Sequence, residues 1–262
     1  MRDSGARGSP LRQPLLDRIR ARLPEPLKAR AFAALADNPA LRHLALGSDG
    51  IVASRGLRFD LRGGHERHAA SLLVGLYERG ERYMATHFYD GTHDVVELGA
   101  SIGVISCELA RRRSAGKRQI SVEAEPSLAA RARRNLELNG FGDVVVEQFA
   151  IDYSGAQTVR FAAGRGLSGK VSDDGNVEVP TRTLSQLLEK HAITCFDLVM
   201  DIEGAEDAVL AHESGALQNC RRILLEAGEH LLGPEGTPPV LAELGFRQIY
   251  RHDLCAAFER AP

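Results

Sequence analysis

The chain has 262 residues, enough to fill one hydrophobic core and to add a smaller terminal segment. Its 33 Lys and Arg residues nearly balance 35 Asp and Glu residues, and the net charge of -2 provides no general attraction to nucleic acid or to an anionic membrane. A nucleic-acid substrate is therefore disfavoured.

The cysteines and the hydropathy indicate the compartment. Cys107, Cys195, Cys220 and Cys255 are far apart and form no CxxC pair, which argues against a zinc site and against a secreted disulfide framework. No apolar run approaches the roughly 20 residues of a membrane-spanning helix, and the first residues lack the apolar segment of a signal peptide. We therefore expect a soluble, cytoplasmic protein without a membrane span.

Residues 1–57 are predicted to form a loose tail followed by a small helical cap. Apolar residues recur at helical spacing after residue 10, and a second helical segment, "LKARAFAALA", ends at "DNP". The alternation in "GIVASRGLRFDLR" predicts a short hairpin, and "ERHAASLLVGLYERG" predicts a helix behind it. We place the start of the main domain at residue 58.

From residue 94 to the C-terminus, strand-like and helical segments alternate. This order predicts an α/β fold in which right-handed crossovers build a mostly parallel sheet with both faces covered. The last two strands, "FRQIYR" and "CAAFER", have no helix between them and must pair as a hairpin. One antiparallel strand is therefore expected in an otherwise parallel sheet.

Four of the predicted strands end in carboxylates: Glu97, Glu125, Asp201 and Glu226. Any one of them is readily explained as a helix cap or a partner of a helix dipole. Ligands of open parallel sheets bind outside the carboxyl ends of the strands, near the point where the strand order reverses. Four acids at this one edge therefore indicate a binding site.

The first of these strands runs into the turn "ELGASIG", Glu97 to Gly103. Gly99 and Gly103 permit a tight turn and a close approach of backbone to a ligand. The spacing is GxxxG and lacks the middle glycine of a GxGxxG motif, which weakens the case for a pyrophosphate site. A neutral or cationic nucleoside fits the acidic surroundings better than a dinucleotide.

Glu125 follows the second strand, roughly 20 residues after the glycine turn, where a carboxylate commonly binds ribose hydroxyls. Pro126 then begins a helix at a position that tolerates proline. Glu123 points to the same face by strand alternation and is the alternative. We prefer Glu125 because it lies nearer the edge of the sheet.

Three segments resemble one known family: "VVELGASIGVIS", "SVEAEPSLAARARRNLELNG" and "FDLVMDIEGAEDAVL". In this order they are similar to the FkbM-type S-adenosylmethionine-dependent methyltransferases, and the resemblance extends from about Arg58 to the C-terminus. "DIEGAE" is its most specific element, whereas Glu97 stands where the family more often has Asp. The resemblance implies the Rossmann-like class I methyltransferase sheet.

The resemblance also implies residue roles. The turn would line the methionine end of the cofactor, Glu125 would bind the ribose, and the end of the third strand would pack near the adenine. Judged from the residues alone, Ala150 and Ile151 could equally be core residues. Asp152 could contact the adenine or begin a turn. The expected cofactor contacts are Glu97, Gly99, Ala100, Ser101, Gly103, Glu125, Ala150 and Ile151.

Such a site supports methyl transfer to an oxygen nucleophile, which must be positioned and deprotonated. Asp201 and Glu226 end neighbouring strands and are expected to converge on the acceptor. We rank Asp201 first as the base and His230 second. The two carboxylates could instead hold Mg²⁺, but we favour transfer without a metal. Glu203 and Glu206 are expected to begin the next helix.

We therefore expect an O-methyltransferase that acts on a small molecule, a sugar or a secondary metabolite. The polar stretch from Ala162 to Asn176 is either a solvent loop or a lid over the acceptor. A nucleotide-dependent oxidoreductase and a non-catalytic module on the same fold are the alternatives. Because fold does not fix the acceptor, the sequence leaves open its identity, O- versus N-methylation and the oligomeric state.

Overall fold

The computed structural model describes residues 38–46, 49–162, 175–202, 204–232 and 236–261. The chain divides into two compact units, Met1–Arg79 and Gly80–Pro262. The helices predicted before residue 38 and most of the predicted lid at 162–176 lie outside the described residues. No helix in the described ranges has the length and apolar character needed to cross a membrane.

The described part of the first unit contains the predicted hairpin. Helix α1 (Pro39–Leu46) begins behind Asn38, whose side-chain oxygen accepts the N–H groups of Ala40 and Leu41. Strands β1 (Ile51–Ser54) and β2 (Leu57–Asp60) pair antiparallel across Arg55 and Gly56. Both turn residues have positive φ, as the tightest hairpin turns require. The domain boundary expected at 57/58 falls at the start of β2.

The helix predicted behind the hairpin is shorter than expected. A 3₁₀ turn at Glu66–His68 leads into α2 (Ala69–Val74), which ends at Gly75 in the left-handed conformation. A separate helix, α3 (Arg79–His87), follows and was not predicted as such.

Beyond α3, the predicted alternation of strands and helices is present. The elements in chain order are β3 (Asp94–Leu98), α4 (Val104–Ala110), β4 (Gln119–Val122), α5 (Pro126–Leu138), β5 (Val145–Glu147), β6 (Ala150–Ile151), β7 (Thr158–Phe161), β8 (Val177–Arg182), α6 (Leu184–Lys190), β9 (Phe196–Met200), α7 (Glu206–His212), α8 (Ser214–Leu217), β10 (Cys220–Glu226), α9 (Glu229–Leu232), α10 (Pro239–Glu243), β11 (Phe246–His252) and β12 (Cys255–Arg260).

In the described residues, seven strands form the main sheet in the order β11-β12-β10-β9-β3-β4-β5. Strand β12 is antiparallel to both of its neighbours, whereas the pairs from β10 to β5 are parallel. This confirms the predicted fold with its single antiparallel strand. The chain order reverses at β3, which lies between β4 and β9, so the crevice for a ligand is expected above β3 and β9.

The central strands are apolar because both of their faces are covered. Residues of β3 and β9 such as Val96, Leu98, Leu198 and Met200 are buried in the main core. Two carboxylates interrupt this pattern, Glu97 near the carboxyl end of β3 and Asp197 near the amino end of β9. Each of these buried charges requires an explanation.

The single strand predicted over 143–151 is divided between two sheets. Strand β5 pairs with β4, whereas β6 pairs with β8 in a small sheet of order β6-β8-β7. At the break, the side-chain amide of Gln148 donates to the carbonyl of Ala124 at 2.9 Å. Strand β8 was missed because Pro180 interrupts its sequence and most of its residues are exposed or half-buried.

Candidate functional site

The glycine turn packs directly on the end of β9. Gly99 has φ +92°, and a Cβ at this position would lie 1.7 Å from the carbonyl oxygen of Asp201. The N–H groups of Gly99 and Ala100 both donate to the carbonyl of Val122 at 2.9 Å. Only glycine combines this φ with so close a contact. The turn is thereby fixed between β4 and β9.

The second glycine of the turn serves helix packing. Gly103 has φ +84° at the N-cap of α4, and a Cβ there would lie 2.9 Å from Cα of Ala132 on α5. The buried side chain of Asn135, also on α5, donates to the carbonyl of Ile102 at 2.8 Å. The turn is therefore held by α5 as well as by the sheet.

A carboxylate at the end of β4 binds the middle of the turn. The backbone N–H of Ser101 donates to Oε2 of Glu123 at 2.7 Å, and the N–H of Glu125 donates to Oε1 at 2.8 Å. Glu123 is 7% exposed, and its burial raises its pKa to about 7 although both hydrogen bonds favour the ionised form. Glu123 thus connects the glycine turn to the start of α5.

The predicted ribose ligand, Glu125, lies two residues further on. It occupies the N-cap position of α5 before Pro126, and its Oε1 accepts the hydroxyl of Ser127 at 2.6 Å. Glu125 is buried like Glu123. The two carboxylates therefore lie at the same strand end, and Glu123 binds the glycine turn through the Ser101 N–H.

Glu97 lies inside the sheet below the turn. Its side chain is buried, and Oε2 accepts hydrogen bonds from the hydroxyls of Ser106 on α4 and Ser121 on β4. Burial raises its pKa to about 7, an effect that the two hydroxyl donors oppose. Its Oε1 is buried without a hydrogen-bond partner.

The two residues expected near an adenine are buried. Ala150 packs in a small cluster with Phe161 and Val179, and Ile151 belongs to the main core. The side chain of Asp152 accepts the backbone N–H of Ser154 at 2.9 Å, which makes a local turn.

Asp201 and Glu226 are brought together as predicted from their strands. Met200 on β9 is in register with Leu225 on β10, so the residue after each strand pair lies at the same edge. On the other side, Glu226 pairs with Cys255 of β12. The register therefore places Asp201 and Glu226 at adjacent strand ends.

Two further residues join this cluster and were not predicted. The thiol of Cys255 lies 3.7 Å from Oε2 of Glu226, and ligand atoms of Glu81, Glu226 and Cys255 lie within 4.8 Å of one another. Burial raises the pKa of the Cys255 thiol, and the negative charges of Glu81, Glu226 and Asp201 raise it further. The predicted antiparallel hairpin could have indicated Cys255, because it returns the start of β12 to the edge where β10 ends.

The structure describes two of the three remaining predicted residues, His230 and Glu206. His230 on α9 has an exposed side chain, and its Nε2 lies 2.7 Å from Oδ2 of Asp207. Glu203 lies outside the described residues. Glu206 is buried at the start of α7 and accepts the N–H groups of Ile202 at 2.7 Å and Gly204 at 2.9 Å. Glu206 therefore shapes the loop that follows Asp201.

Three solved structures illustrate the comparison with known proteins. An O-methyltransferase from Bacillus cereus in complex with SAH is 18% identical, with 69% of this chain and 80% of that chain covered and a TM-score of 0.41. TYW2 of M. jannaschii in complex with AdoMet is 16% identical, with 80% and 86% covered and a TM-score of 0.42. EvdMO1 is 16% identical, with 70% and 41% covered and a TM-score of 0.39, so the chain spans less than half of it.

No curated protein sequence matches the chain. The family comparison is more informative, because a model described as the methyltransferase FkbM domain matches residues 97–248. This range begins at the glycine turn and includes both carboxylates after β4, the end of β9 and the end of β10. The chain belongs to the FkbM methyltransferase domain family.

Proposed function

We propose that the protein transfers a methyl group from S-adenosylmethionine to a hydroxyl group of a small molecule, a sugar or a secondary metabolite. One observation carries the choice of cofactor. The Ser101 N–H, which a dinucleotide pyrophosphate would need, is bound to the Glu123 carboxylate. A carboxylate at this place repels phosphate but accepts hydroxyl groups. Family membership supports methyl transfer as the reaction.

The residues at the turn fit this cofactor. Carboxylates after β4 suit the two ribose hydroxyls, and the turn residues Gly99, Ala100, Ser101 and Gly103 would lie against the methionine part. The unpartnered Oε1 of Glu97 is a buried acceptor below the turn and supports its proposed place near the methionine end. Ala150 and Ile151 remain the proposed apolar contacts of the adenine. When bound, the cofactor supplies an electrophilic methyl group.

The geometry favours Glu123 over Glu125 as the residue that holds the ribose. Both oxygens of Glu123 accept backbone N–H groups, which fixes the carboxylate beside the turn. Each oxygen retains a second lone pair for a hydroxyl donor. Glu125 remains the alternative, because it is only two residues away and its Oε1 accepts the Ser127 hydroxyl.

We assign the acceptor to the cluster at the ends of β9 and β10. Asp201 orients the acceptor hydroxyl and removes its proton, and Glu226 lies beside it as a second hydrogen-bond acceptor. The cluster of Glu81, Asp201 and Glu226 suits a neutral donor of several hydroxyl groups. Because Glu226 borders a thiol and Mg²⁺ prefers oxygen ligands, we favour proton removal without a metal. His230 is the second candidate for the base.

We place the reaction in the cytoplasm, an expectation that the four free cysteines support because a reducing compartment keeps thiols unpaired. The nearly balanced charge supports a small-molecule substrate over nucleic acid.

Titration calorimetry tests the cofactor assignment. We expect binding of S-adenosylmethionine and its demethylated product, and much weaker binding of NAD and NADP. Glu123→Gln removes a charged acceptor of hydroxyl hydrogen bonds, each contributing about 1.5–3 kcal/mol, so the Kd should rise roughly ten- to a few hundredfold. The matched variant Glu125→Gln should change the Kd less than about fivefold.

Two results would contradict this assignment. Binding of NAD without S-adenosylmethionine would remove the proposed cofactor, and a larger effect of Glu125→Gln would transfer the ribose contact to that residue. Once binding is established, labelled methyl transfer into a metabolite extract identifies the acceptor. Alkaline stability of the labelled product separates a methyl ether from a methyl ester.

A further inference from the structure

Three potential metal ligands meet at the amino edge of the sheet, where the parallel strands begin. Asp197 is the second residue of β9, and Asp90 and His93 lie in the loop between α3 and β3. One ligand atom of each lies within 4.8 Å of the others. Because the proposed cofactor and acceptor residues lie at the carboxyl ends of the strands, this group is separate from them.

The Asp197 carboxylate is buried without a hydrogen-bond partner. The residue is 2% exposed, and neither oxygen receives a hydrogen bond of normal geometry. The guanidinium and backbone amide of Arg222 contribute favourable electrostatics, but burial dominates and raises the pKa of Asp197 to about 7. Leaving a buried carboxylate unpaired costs several kcal/mol. A ligand that binds it would recover this free energy.

A second orphan group lies beside Asp197. The Tyr89 hydroxyl is buried without a partner, and the negative charge of Asp197 contributes to raising its pKa, after burial itself. A hydroxyl of this kind can donate to a carboxylate or accept from a water molecule. Each buried polar group without a partner requires an explanation, and a ligand bound at Asp197 would provide one for the carboxylate.

Asp90 and His93 are already held in place. The Thr92 hydroxyl lies 2.7 Å from Oδ1 of Asp90 and 3.0 Å from Nδ1 of His93, and the Thr92 N–H donates to the same Oδ1 at 2.9 Å. Burial acts against ionisation of Asp90, but the Thr92 and Arg222 hydrogen bonds prevail and lower its pKa to about 2. Burial also lowers the pKa of His93. Thr92 thus contacts both side chains and helps to orient them.

We propose that Asp90, His93 and Asp197 bind a divalent transition-metal ion, with Zn²⁺ the best match. Two carboxylates and one imidazole are hard and intermediate ligands that suit Zn²⁺ better than Mg²⁺ or Ca²⁺, which prefer oxygen alone. The ion would tie the loop before β3 to the start of β9. Positive charges nearby, chiefly that of Arg222, lower the expected affinity for Zn²⁺ below that of a site with four protein ligands.

Zinc titration of the untagged, full-length chain tests the proposal. After treatment with EDTA and dialysis, we expect calorimetry to show one Zn²⁺ per chain, with a raised melting temperature. Asp197→Asn and His93→Ala should each weaken Zn²⁺ at least about tenfold. The control is His252→Ala, which changes another Asp–His pair in which Nδ1 lies 3.1 Å from Oδ2 of the exposed Asp253. It should bind Zn²⁺ like the wild type.

The opposite results overturn the proposal. They are no Zn²⁺ binding by the wild type, binding that survives both Asp197→Asn and His93→Ala, or binding that is lost instead in Cys255→Ser, which belongs to the group at the other edge. Circular dichroism of each variant in EDTA confirms that it is folded. If Asp197→Asn fails to fold, His93→Ala decides the outcome alone, because His93 lies in a loop. Methyl transfer does not enter this test, so it is independent of the proposed function.

Discussion

The two edges of the main sheet treat buried carboxylates differently. At the carboxyl edge, Glu123 accepts two backbone N–H groups and Glu97 accepts two serine hydroxyls. At the amino edge, neither oxygen of Asp197 has a hydrogen-bond partner. The chain therefore supplies donors to Glu123 and Glu97 at the proposed cofactor site, whereas both oxygens of Asp197 at the proposed metal site lack a hydrogen-bond partner.

The pKa does not reveal this difference. Burial raises the pKa of Glu97, Glu123 and Asp197 alike, in each case to about 7. The hydrogen-bond partners separate the three residues. A carboxylate that the chain has already oriented suits hydroxyl groups of a ligand, whereas one left without donors suits a cation.

The largest effect is expected from Asp201→Asn at the carboxyl edge. The substitution keeps the size but removes the charge that takes the acceptor proton, so turnover should fall roughly 10²- to 10⁴-fold, the range for acid-base groups. The Kd for S-adenosylmethionine should hardly change. Single-turnover methyl transfer and calorimetry measure the two quantities. Asp143→Asn makes the same change at an exposed ion pair with Arg113 and should leave both unchanged.

Turnover with and without magnesium completes this test. We expect the rate in EDTA to stay the same when Mg²⁺ is added, because we assign no metal ion to proton removal. A rate that requires Mg²⁺ would make Asp201 and Glu226 metal ligands. A wild-type rate in Asp201→Asn would remove Asp201 from the mechanism.

The next effect is expected from Gly99→Ala, which tests the contact between the turn and β9. The positive φ costs about 1–2 kcal/mol, and the clash with the Asp201 carbonyl adds about 1–3 kcal/mol, so the free energy of unfolding should fall by about 2–5 kcal/mol. Gly116→Ala is the matched control, with φ +81° and nothing within 4 Å of a Cβ. Gly116→Ala should lose only the roughly 1–2 kcal/mol that the positive φ costs. Urea unfolding measures both variants. If their free energies of unfolding fell equally, the turn would relieve the clash with the Asp201 carbonyl at no energetic cost.

A smaller effect, a gain in stability instead of a loss, is expected from Asp197→Asn in EDTA. The unfolded chain loses this proton near pH 4 and the folded chain near pH 7, so the wild type loses stability as the pH rises through this range. The uncharged variant does not, and by pH 8 it should be more stable than the wild type by about 1–3 kcal/mol. Urea unfolding at pH 5, 6, 7 and 8 measures the difference.

Glu123→Gln provides the comparison for the Asp197 result. Its carboxylate has a similarly raised pKa, but a glutamine oxygen can serve only one of the two N–H donors well. Loss of a hydrogen bond to a buried donor should therefore offset the gain from removing the charge. If both variants gained equally at pH 8, the donors around Glu123 would be irrelevant to its stability.

The sequence was sufficient for the architecture of the main sheet. Alternating segments fixed the order of strands and helices, and the absence of a helix between β11 and β12 predicted the antiparallel strand. It was insufficient where a segment changes its partner, because pairing is decided by distant residues. The run over 143–151 is continuously strand-like, yet Val145–Glu147 and Ala150–Ile151 join different sheets.

The site was predictable where the backbone dictates a residue type. Gly99 and Gly103 and the edge acids Asp201 and Glu226 follow from strand ends and turn geometry. The hydrogen bond from Ser101, on which our preference for Glu123 over Glu125 rests, depends on a φ of +48° within the turn, and no sequence pattern predicts it. Cys255 and Asp197 were overlooked because a thiol and a carboxylate inside strands carry no spacing signal.

The smallest effect is expected from His230→Ala, which tests how far the acceptor site extends along the carboxyl edge. The His230 side chain is 69% exposed and contacts Asp207, which is itself half-exposed, so the pair contributes at most about 1 kcal/mol to stability. A side chain this exposed is not held in one position on an acceptor. We expect turnover within about threefold of the wild type and an unaltered pH dependence, since we assign proton removal to Asp201. Steady-state methyl transfer from pH 5.5 to 9 measures both. A loss of a hundredfold or more, together with an altered pH dependence of the rate, would make His230 the base and reduce Asp201 to an orienting role.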